Sequence, residues 1–268
     1  MRHDDDLRVP VSGAQAGPGA VGGRSVTSKV LALLAAFSSE SPELTLSELA
    51  RIAGLTLPTA HRRAMELVQW GALERNPDGR FHIGLRLWEV ASLAPRGLGL
   101  REAAMPFLED LYEVTHENVQ LAVREGLEVV YVERIAGRNA VPVLTRVGGR
   151  FALHATGVGL VLLAHAPAEI QEEILTTPLH GYSPKTVTSP VRLRQMLAAT
   201  RRDGYAVSDG QVTVDALSVA APILGPRGDV VAAVSLVVRA DSAQPSALAP
   251  LVKTSARGIS RTLNNRPL

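Results

Sequence analysis

Apolar residues recur at helical spacing in two neighbouring segments between residues 45 and 70. The first segment carries its stripe at Leu46, Leu49, Ala50 and Ala53, which is the spacing of one helix face. Thr45 with Glu48 predicts a capping box at the start of this helix, and Gly54 can adopt the left-handed conformation that ends it. A second helix, from about Pro58 to Trp70, follows after only a few residues. The pair therefore has the pattern of a helix-turn-helix.

A short hairpin is predicted directly after the second helix. The turn-forming sequence Asn76-Pro77-Asp78-Gly79 separates residues 73–75 from residues 80–83, and both segments suit β-strands. Upstream, Ser25 can cap a helix with the apolar stripe Val26, Val30, Leu33, Leu34 and Phe37. Helices followed by such a hairpin, or wing, predict a winged helix-turn-helix domain over residues 24–94. This arrangement places one helix in the DNA major groove.

The second helix of the pair has a polar outer face. At about 100° per residue the inward positions are Ala60, Ala64, Leu67 and Val68. Arg62 can donate two parallel hydrogen bonds to a guanine edge and Thr59 can reach a phosphate or a base, so these two are the candidate base readers. His61 and Arg63 lie on the flanks as candidate phosphate contacts, and Arg80 lies where a wing touches the sugar-phosphate backbone. The charged face of an isolated helix is more often ordinary solvated surface, but the neighbouring hairpin favours a DNA-binding role for this helix.

The remaining two-thirds of the chain mixes strand and helix patterns. The sequence Pro95-Arg96-Gly97-Leu98-Gly99 is rich in helix breakers and predicts a hinge, with a linker helix from about residue 101 to residue 116; together they form a connecting segment, residues 95–116. Over residues 117–268 we expect strands at 119–124, 128–134, 141–147, 206–208, 218–224 and 230–238, and helices at 157–166, 168–175, 190–203 and 247–263. This mixture predicts an α+β domain with helices packed on an antiparallel sheet.

Composition narrows the classes of protein that remain. A chain of 268 residues with 46% hydrophobic residues can bury a large core and should divide into two domains. The chain has no cysteine, which excludes disulfides, thiolate metal sites and thiol catalysis. The net charge of +2 says little about partners, but between Arg51 and Arg86 six arginines face three acidic residues, a modest preference for a polyanion.

Nothing in the pattern predicts a membrane segment. The longest apolar run, residues 158–166, is too short to cross a bilayer. Residues 1–23 are rich in Gly, Ala and Pro and lack the apolar core of a signal peptide, so we expect a disordered tail. These features fit a cytoplasmic protein.

Three downstream segments add to the helix-turn-helix pattern: GGRFALHATGVG at 148–159, RDGYAVSDGQ at 202–211 and LSVAAPILGPRGDVVAAVSL at 217–236. With SELARIAGL, PTAHR and the LVQWGALER–DGRFHIG wing, the chain resembles the IclR family of bacterial transcriptional regulators from residue 23 to residue 263. The resemblance implies a GAF-like sensor domain, a homodimer or homotetramer, a palindromic operator, and a small organic effector such as a carboxylate or an aromatic compound. Repression of transcription is the expected action, and no cofactor is implied.

The same resemblance implies an effector pocket, whose residues in this chain are Gly157, Val158, Ser208, Asp209, Ser218, Ser235 and Val237. Several positions depart from the family pattern: Ser218 replaces a frequent cysteine, Val237 a frequent serine, Leu160 a common lysine and Arg63 a common leucine. Each change alters polarity. The effector and the operator sequence therefore cannot be transferred from better-known relatives.

The residues themselves are equally compatible with an anion at this pocket and with plain close packing, and it is the resemblance that favours the pocket. The amides after Thr156 begin a helix, and a helix start attracts negative charge. Hydroxyls of Ser218 and Ser235 would add hydrogen bonds, and Val158, Leu217 and Val237 would suit an aromatic or aliphatic body. The alternative is that Gly157 and Gly159 only permit close packing of the helix on the sheet.

An enzyme is the main competing class. The seven histidines, His3, His61, His82, His116, His154, His165 and His180, never show a metal-binding spacing such as HExxH, and no GxSxG, P-loop or GxGxxG sequence occurs. Asp209 and Asp215 have no nucleophile with its base nearby, and His154 fits a buried structural role better than that of a general base. We therefore predict a protein that is not an enzyme. A purely architectural DNA-binding protein is disfavoured because it would need no large apolar second domain.

Overall fold

The structure is a computed structural model that describes residues 24–38, 40–94, 98–138, 140–242 and 244–265. The predicted disordered tail and residues 95–97 of the predicted hinge lie outside these ranges. The chain divides into two compact units, and the division falls between residues 94 and 98. None of the helices in the described ranges combines the length and the hydropathy needed to span a membrane.

The described residues of the first unit, 24–38 and 40–94, form four helices and one hairpin. In chain order they are α1 (Val26–Leu34), α2 (Leu46–Ala53), α3 (Leu57–Trp70), β1 (Leu73–Arg75), β2 (Phe81–Ile83) and α4 (Leu85–Ala91). The capping box joins Thr45 to Glu48, and Gly54 ends α2 with a φ of 64°. Strands β1 and β2 pair antiparallel, with Leu73 opposite Ile83. This is the winged helix-turn-helix that the sequence predicts.

The core of this unit forms where the three apolar faces meet, and it includes Leu33, Leu49, Ala60, Ala64, Leu67 and Phe81. The predicted stripe of α1 is wrong at Val26, which is 52% exposed. Val26 is the first residue of the helix, one turn before Val30, which is the first stripe residue packed against the core. The small side chains of Ala60 and Ala64 let α3 lie close to its neighbours, and the opposite face of the helix lies at the surface.

The second unit is a six-stranded antiparallel sheet with helices on both faces. Its strands are β3 (Asn118–Glu125), β4 (Glu128–Ile135), β5 (Arg150–Ala152), β6 (Ala206–Asp209), β7 (Ala216–Leu224) and β8 (Val230–Arg239). They lie in the order β5-β4-β3-β8-β7-β6. The helices are α5 (Leu100–Thr115), α6 (Gly157–Ala164), α7 (Ala168–Thr176), α8 (Pro190–Asp203) and α9 (Pro245–Asn265). The predicted α+β class is confirmed.

Alternation along the strands builds two separate cores. Odd-numbered residues of β3, such as Val119 and Leu121, pack beneath α5 and α9. Ala122 of the same strand faces the opposite way, toward α6, α7 and α8, because successive side chains of a strand point to opposite faces. The predicted linker helix is α5, and one side of this helix lies buried in the core of the second unit.

The strand predicted at residues 141–147 is wrong. This segment is irregular, and the strand that pairs with β4 is β5, a few residues later. Pro142 has no N–H to donate to a ladder, so side chains hold the segment instead. Asn118 Nδ2 donates to the Val141 carbonyl at 2.8 Å, and Arg134 Nη1 donates to the Thr145 carbonyl at 3.2 Å.

Candidate functional site

The outer face of α3 is the candidate DNA-reading surface. Arg62 and His61 are exposed, while Thr59 is half-buried near the start of the helix. The Thr56 hydroxyl donates to Thr59 Oγ1 at 2.9 Å, which leaves the Thr59 hydrogen free to be donated elsewhere. Among the described residues, Arg62 makes neither a hydrogen bond nor an ion pair. Its five N–H groups are thus available to a ligand.

Arg63 differs from Arg62 although the two are adjacent. Its guanidinium is 13% exposed and lies 2.5 Å from a Glu66 carboxylate oxygen. The hydrogen bond from Arg63 is also the largest cause that lowers the pKa of Glu66. Arg63 therefore offsets the one acidic side chain on a face that would meet phosphates. A phosphate contact through the same Nη1 group would require Arg63 to release Glu66.

The wing places Arg80 at its base. The Asn76 amide donates to the Arg80 carbonyl at 2.8 Å, and Gly79 has a φ of 88°, which a glycine adopts without strain. The Arg80 guanidinium lies 3.6 Å from Glu48 and 3.7 Å from Asp78. Arg80 is therefore engaged with two carboxylates, and contact with a phosphate would compete with them.

The second unit contains a partly open cavity, whose empty space of about 410 Å³ includes open solvent. It lies between the sheet, the start of α6 and the irregular segment 141–145. Five of the seven predicted effector residues line it: Gly157, Val158, Ser208, Ser218 and Val237. The remaining lining residues are Gln120, Tyr131, Val143, Leu144, Thr145, Ala155, Thr156, Val212, Thr213 and Ala216.

Asp209 and Ser235 are the predicted effector residues that do not line this cavity. Asp209 follows Ser208 on β6 and therefore points to the other side; its side chain is exposed and lies 3.2 Å from Lys185 Nζ. Ser235 is fully buried on the cavity side of β8, but it lies behind Gln120, to whose Oε1 it donates at 3.4 Å. Leu217, expected as an apolar neighbour, packs in the core beneath α5 and α9 instead.

The start of α6 serves both packing and the cavity. A Cβ at Gly157 would lie 2.5 Å from Ser218 Oγ, and a Cβ at Gly159 would lie 2.3 Å from the Leu153 carbonyl oxygen. Both glycines thus allow the helix to approach its neighbours, but only Gly157 also lines the cavity. Thr156 caps the helix by accepting from the Gly159 amide at 3.0 Å. The amides of Gly157 and Val158, which begin the helix, have no acceptor within it.

Buried polar side chains on the sheet are the part of the site that sequence reasoning missed. Gln120 is 2% exposed and Thr145 is 8% exposed, and Gln120 Nε2 donates to Thr145 Oγ1 at 2.6 Å. Tyr131 is fully buried, which raises the pKa of its phenol and keeps it neutral. The available signal was a glutamine between Val119 and Leu121, since a polar residue in an apolar strand needs a buried partner.

The surroundings of His154 fit a structural role. Its Nε2 lies 2.9 Å from the His180 carbonyl, and burial lowers its pKa. Among the described residues, no group of three His, Asp or Glu side chains is placed to hold a metal ion. The site therefore consists of hydroxyls, amides and apolar walls around a cavity.

A winged helix-turn-helix joined to a cavity-bearing α+β domain defines the class of ligand-responsive transcriptional regulators. Residues 94–261 match the family described as bacterial transcriptional regulator IclR C-terminal. Residues 26–77 match the IclR helix-turn-helix domain. The chain belongs to the IclR family, which confirms the resemblance.

Individual relatives agree with this assignment. The chain is 33% identical over 239 residues to the HTH-type transcriptional regulator KipR of Bacillus subtilis, covering 88% of this chain and 95% of KipR. It is 29% identical over 210 residues to the transcriptional repressor IclR of Escherichia coli, covering 77% of each chain. A crystal structure of an IclR homolog complexed with 4-hydroxybenzoate, from Microbacterium hydrocarbonoxydans, superimposes with a TM-score of 0.87 at 38% identity, covering 90% of this chain and 100% of that chain. The chain is thus a transcriptional regulator with an N-terminal DNA-binding domain and a C-terminal ligand-binding domain.

Proposed function

We propose that this protein is a repressor that binds a palindromic operator as a homodimer or homotetramer and responds to an aromatic carboxylate. The observation that carries the proposal is the cavity between the start of α6 and the sheet. It combines an end that suits an anion with apolar walls.

The chemistry of the cavity supports an aromatic carboxylate. The amides of Gly157 and Val158 lie at the positive end of α6, where a carboxylate is stabilised, and the hydroxyl of Ser218 lies beside them. Val143, Val158 and Val237 supply apolar lining for a ring. The similar protein that was crystallised with 4-hydroxybenzoate supports the same class, and this compound is the natural first probe.

The DNA-reading role rests on the free Arg62 and on Thr59. A single recognition helix reads only a few base pairs, so two copies of the chain would read two half-sites about one or two DNA turns apart. Twofold symmetry of the protein would then require a palindromic operator. Arg62 supplies the bidentate donor group that recognises guanine, while Arg63 keeps Glu66 from repelling the backbone.

Strand β3 contacts both the cavity and the core that contains α5. Gln120 of β3 lines the cavity, while its chain neighbours Val119 and Leu121 pack in the core that contains α5. A ligand that shifts β3 would therefore change the packing of α5, the helix that begins just after the division between the two units. We infer that this shift alters the separation of the paired reading helices.

Binding measurements on DNA test the proposal. Purified protein is titrated into a labelled fragment from upstream of its own coding sequence at moderate salt, with a random duplex of equal length as the control. We expect preferential binding to the upstream fragment and at least a fivefold change in affinity when 4-hydroxybenzoate is added. Equal binding to both duplexes would contradict the DNA-reading role. An affinity insensitive to a panel of aromatic carboxylates would contradict the effector class.

A further inference from the structure

We propose that Gln120 and Thr145 form a second polar subsite, which recognises a hydroxyl group on the ring of the effector at the end away from Gly157. This inference rests on the proposed function, because it names a feature of the aromatic carboxylate that the cavity would accept. The two side chains line the cavity together and are almost completely removed from solvent.

The hydrogen-bonding inventory of this pair is incomplete without a ligand. Gln120 Oε1 accepts from Ser235 and Gln120 Nε2 donates to Thr145 Oγ1. A primary amide has two N–H donors and a threonine hydroxyl can donate as well as accept. Among the described residues, the second N–H of Gln120 and the hydroxyl hydrogen of Thr145 have no further partner, so they are left for a group in the cavity.

The register of the sheet separates this pair from the anion-binding end. Gln120 pairs with Ser235 across β3 and β8, whereas Ser218 pairs with Val237 across β7 and β8. Gln120 and Ser218 are thus two strands and two residues apart, roughly 12 Å between their Cα atoms. Both side chains reach into the cavity across part of that distance. The remaining span suits a ring with polar substituents at opposite ends, of which 4-hydroxybenzoate is the simplest.

The segment that carries Thr145 is held by groups outside the cavity. Arg134 Nη2 donates to Asn118 Oδ1 at 2.8 Å, and these two residues in turn hold the carbonyls of Thr145 and Val141. The irregular segment is thereby fixed against β3 and β4, with Thr145 directed at Gln120. Arg134 and Asn118 are positioning residues, because they act only through the placement of Thr145.

Rigid buried donors discriminate strongly against ligands that lack an acceptor. An apolar substituent at this end would leave the donors unpaired in a place that water cannot easily reach, and such unpaired groups are costly. A phenolic hydroxyl can accept from Gln120 or Thr145. We therefore expect the subsite to prefer a hydroxyl to a methyl group of similar size.

The first test compares ligands on the unmodified protein by isothermal titration calorimetry. Benzoate, 4-methylbenzoate and 4-hydroxybenzoate share the carboxylate and the ring and differ only at the opposite end. We expect 4-hydroxybenzoate to bind at least 10-fold more tightly than 4-methylbenzoate, in keeping with one or two hydrogen bonds. Equal affinities for these two compounds would overturn the subsite.

The second test changes the subsite itself. Thr145→Val removes the hydroxyl while keeping the shape, so the preference for 4-hydroxybenzoate should fall to about twofold, whereas the affinity for benzoate changes little. Thr145→Ser should restore the preference. Thr200→Val is the matched control, because Thr200 is also buried and, within the described part of the chain, its hydroxyl donates only to the Met196 carbonyl inside α8. A Thr145→Val protein that weakens all three ligands equally would show a purely structural role.

The outcomes separate this inference from the proposed function. If benzoate binds and the 4-hydroxyl group adds nothing, the aromatic carboxylate class stands and the subsite is wrong. If none of the three compounds binds, both are wrong. If Thr145→Val does not fold, the ligand comparison on the unmodified protein still decides the question.

Discussion

Replacing Gly157 with alanine separates the two roles of the α6 start, which are packing and ligand binding. The added Cβ would lie 2.5 Å from Ser218 Oγ, 3.2 Å from Ser218 Cβ and 3.4 Å from Ala220 Cβ. The hydroxyl can rotate away from the new methyl group and the contact with Ala220 Cβ is of ordinary van der Waals length, but the contact with Ser218 Cβ remains tight. The methyl group would also project into the cavity, where it covers the first amides of the helix.

The expected loss of stability is small because two effects oppose each other. Alanine stabilises a helix by up to about 1 kcal/mol relative to glycine, whereas overpacking costs about 1–3 kcal/mol. The net destabilisation should be about 1 kcal/mol, which lowers the melting temperature of a domain of this size by about 2–4 °C. Effector affinity should fall much further, by at least 10-fold, because the methyl group occupies the place of the carboxylate.

The assay combines thermal unfolding with calorimetric titration of 4-hydroxybenzoate. Gly157→Ala is compared with Ser218→Ala and with the double variant, which relieves the contact with the hydroxyl. The double variant should recover part of the lost stability but none of the lost affinity. An unchanged affinity in Gly157→Ala, together with the expected loss of stability, would refute the ligand-binding role and leave packing as the only function of Gly157.

Four further predictions concern single residues. Arg62→Ala should weaken specific DNA binding by about 1–3 kcal/mol and relax base preference in competition titrations; equal loss on every duplex would indicate a phosphate contact. Glu66→Gln removes the acidic group and frees Arg63, so binding to all duplexes should strengthen and depend more steeply on salt; unchanged salt dependence would argue against this. Burial lowers the pKa of His154 below its ordinary 6.5, so the unfolded chain binds more protons and the free energy of unfolding should fall as the pH is lowered through that range. In denaturant titrations at several pH values, the free energy of unfolding of His154→Gln should depend less steeply on pH than that of the unmodified protein. An equal dependence on pH would contradict the assignment. Arg134→Met should loosen the wall at Thr145 and lower effector affinity without changing DNA affinity in the absence of effector, which calorimetry and anisotropy can check.

The regular elements of the fold could be predicted because local signals define their ends. Helix α8 runs from Pro190 to Asp203 as expected, between the cap at Ser189 and the left-handed Gly204. The wing follows from its turn sequence in the same way. The strand prediction for residues 141–147 was wrong because their β-prone side chains were given more weight than Pro142, whose missing N–H argues against a strand. The contacts by which Asn118 and Arg134 hold the segment are long-range, and no local pattern shows them.

The candidate site was only partly predictable for a related reason. Residues carried over by resemblance included Ser208 and Asp209, which are neighbours on a strand, and alternation allows only Ser208 to reach the cavity. Gln120 was missed because it lies far along the chain from the segments that carry the resemblance, and it joins them only through the pairing of β3 with β8. Long-range strand order decides which polar side chains meet, and no local pattern records it.

We propose that the cavity and the DNA-reading helix are coupled, and reciprocal binding measurements are the sharpest test of this coupling. The affinity for the upstream fragment is measured by anisotropy with and without saturating 4-hydroxybenzoate, and the affinity for 4-hydroxybenzoate is measured by calorimetry with and without the fragment. We expect both affinities to change by the same factor, at least about fivefold, because linkage makes the two effects equal. Two affinities that are each independent of the other ligand would contradict it.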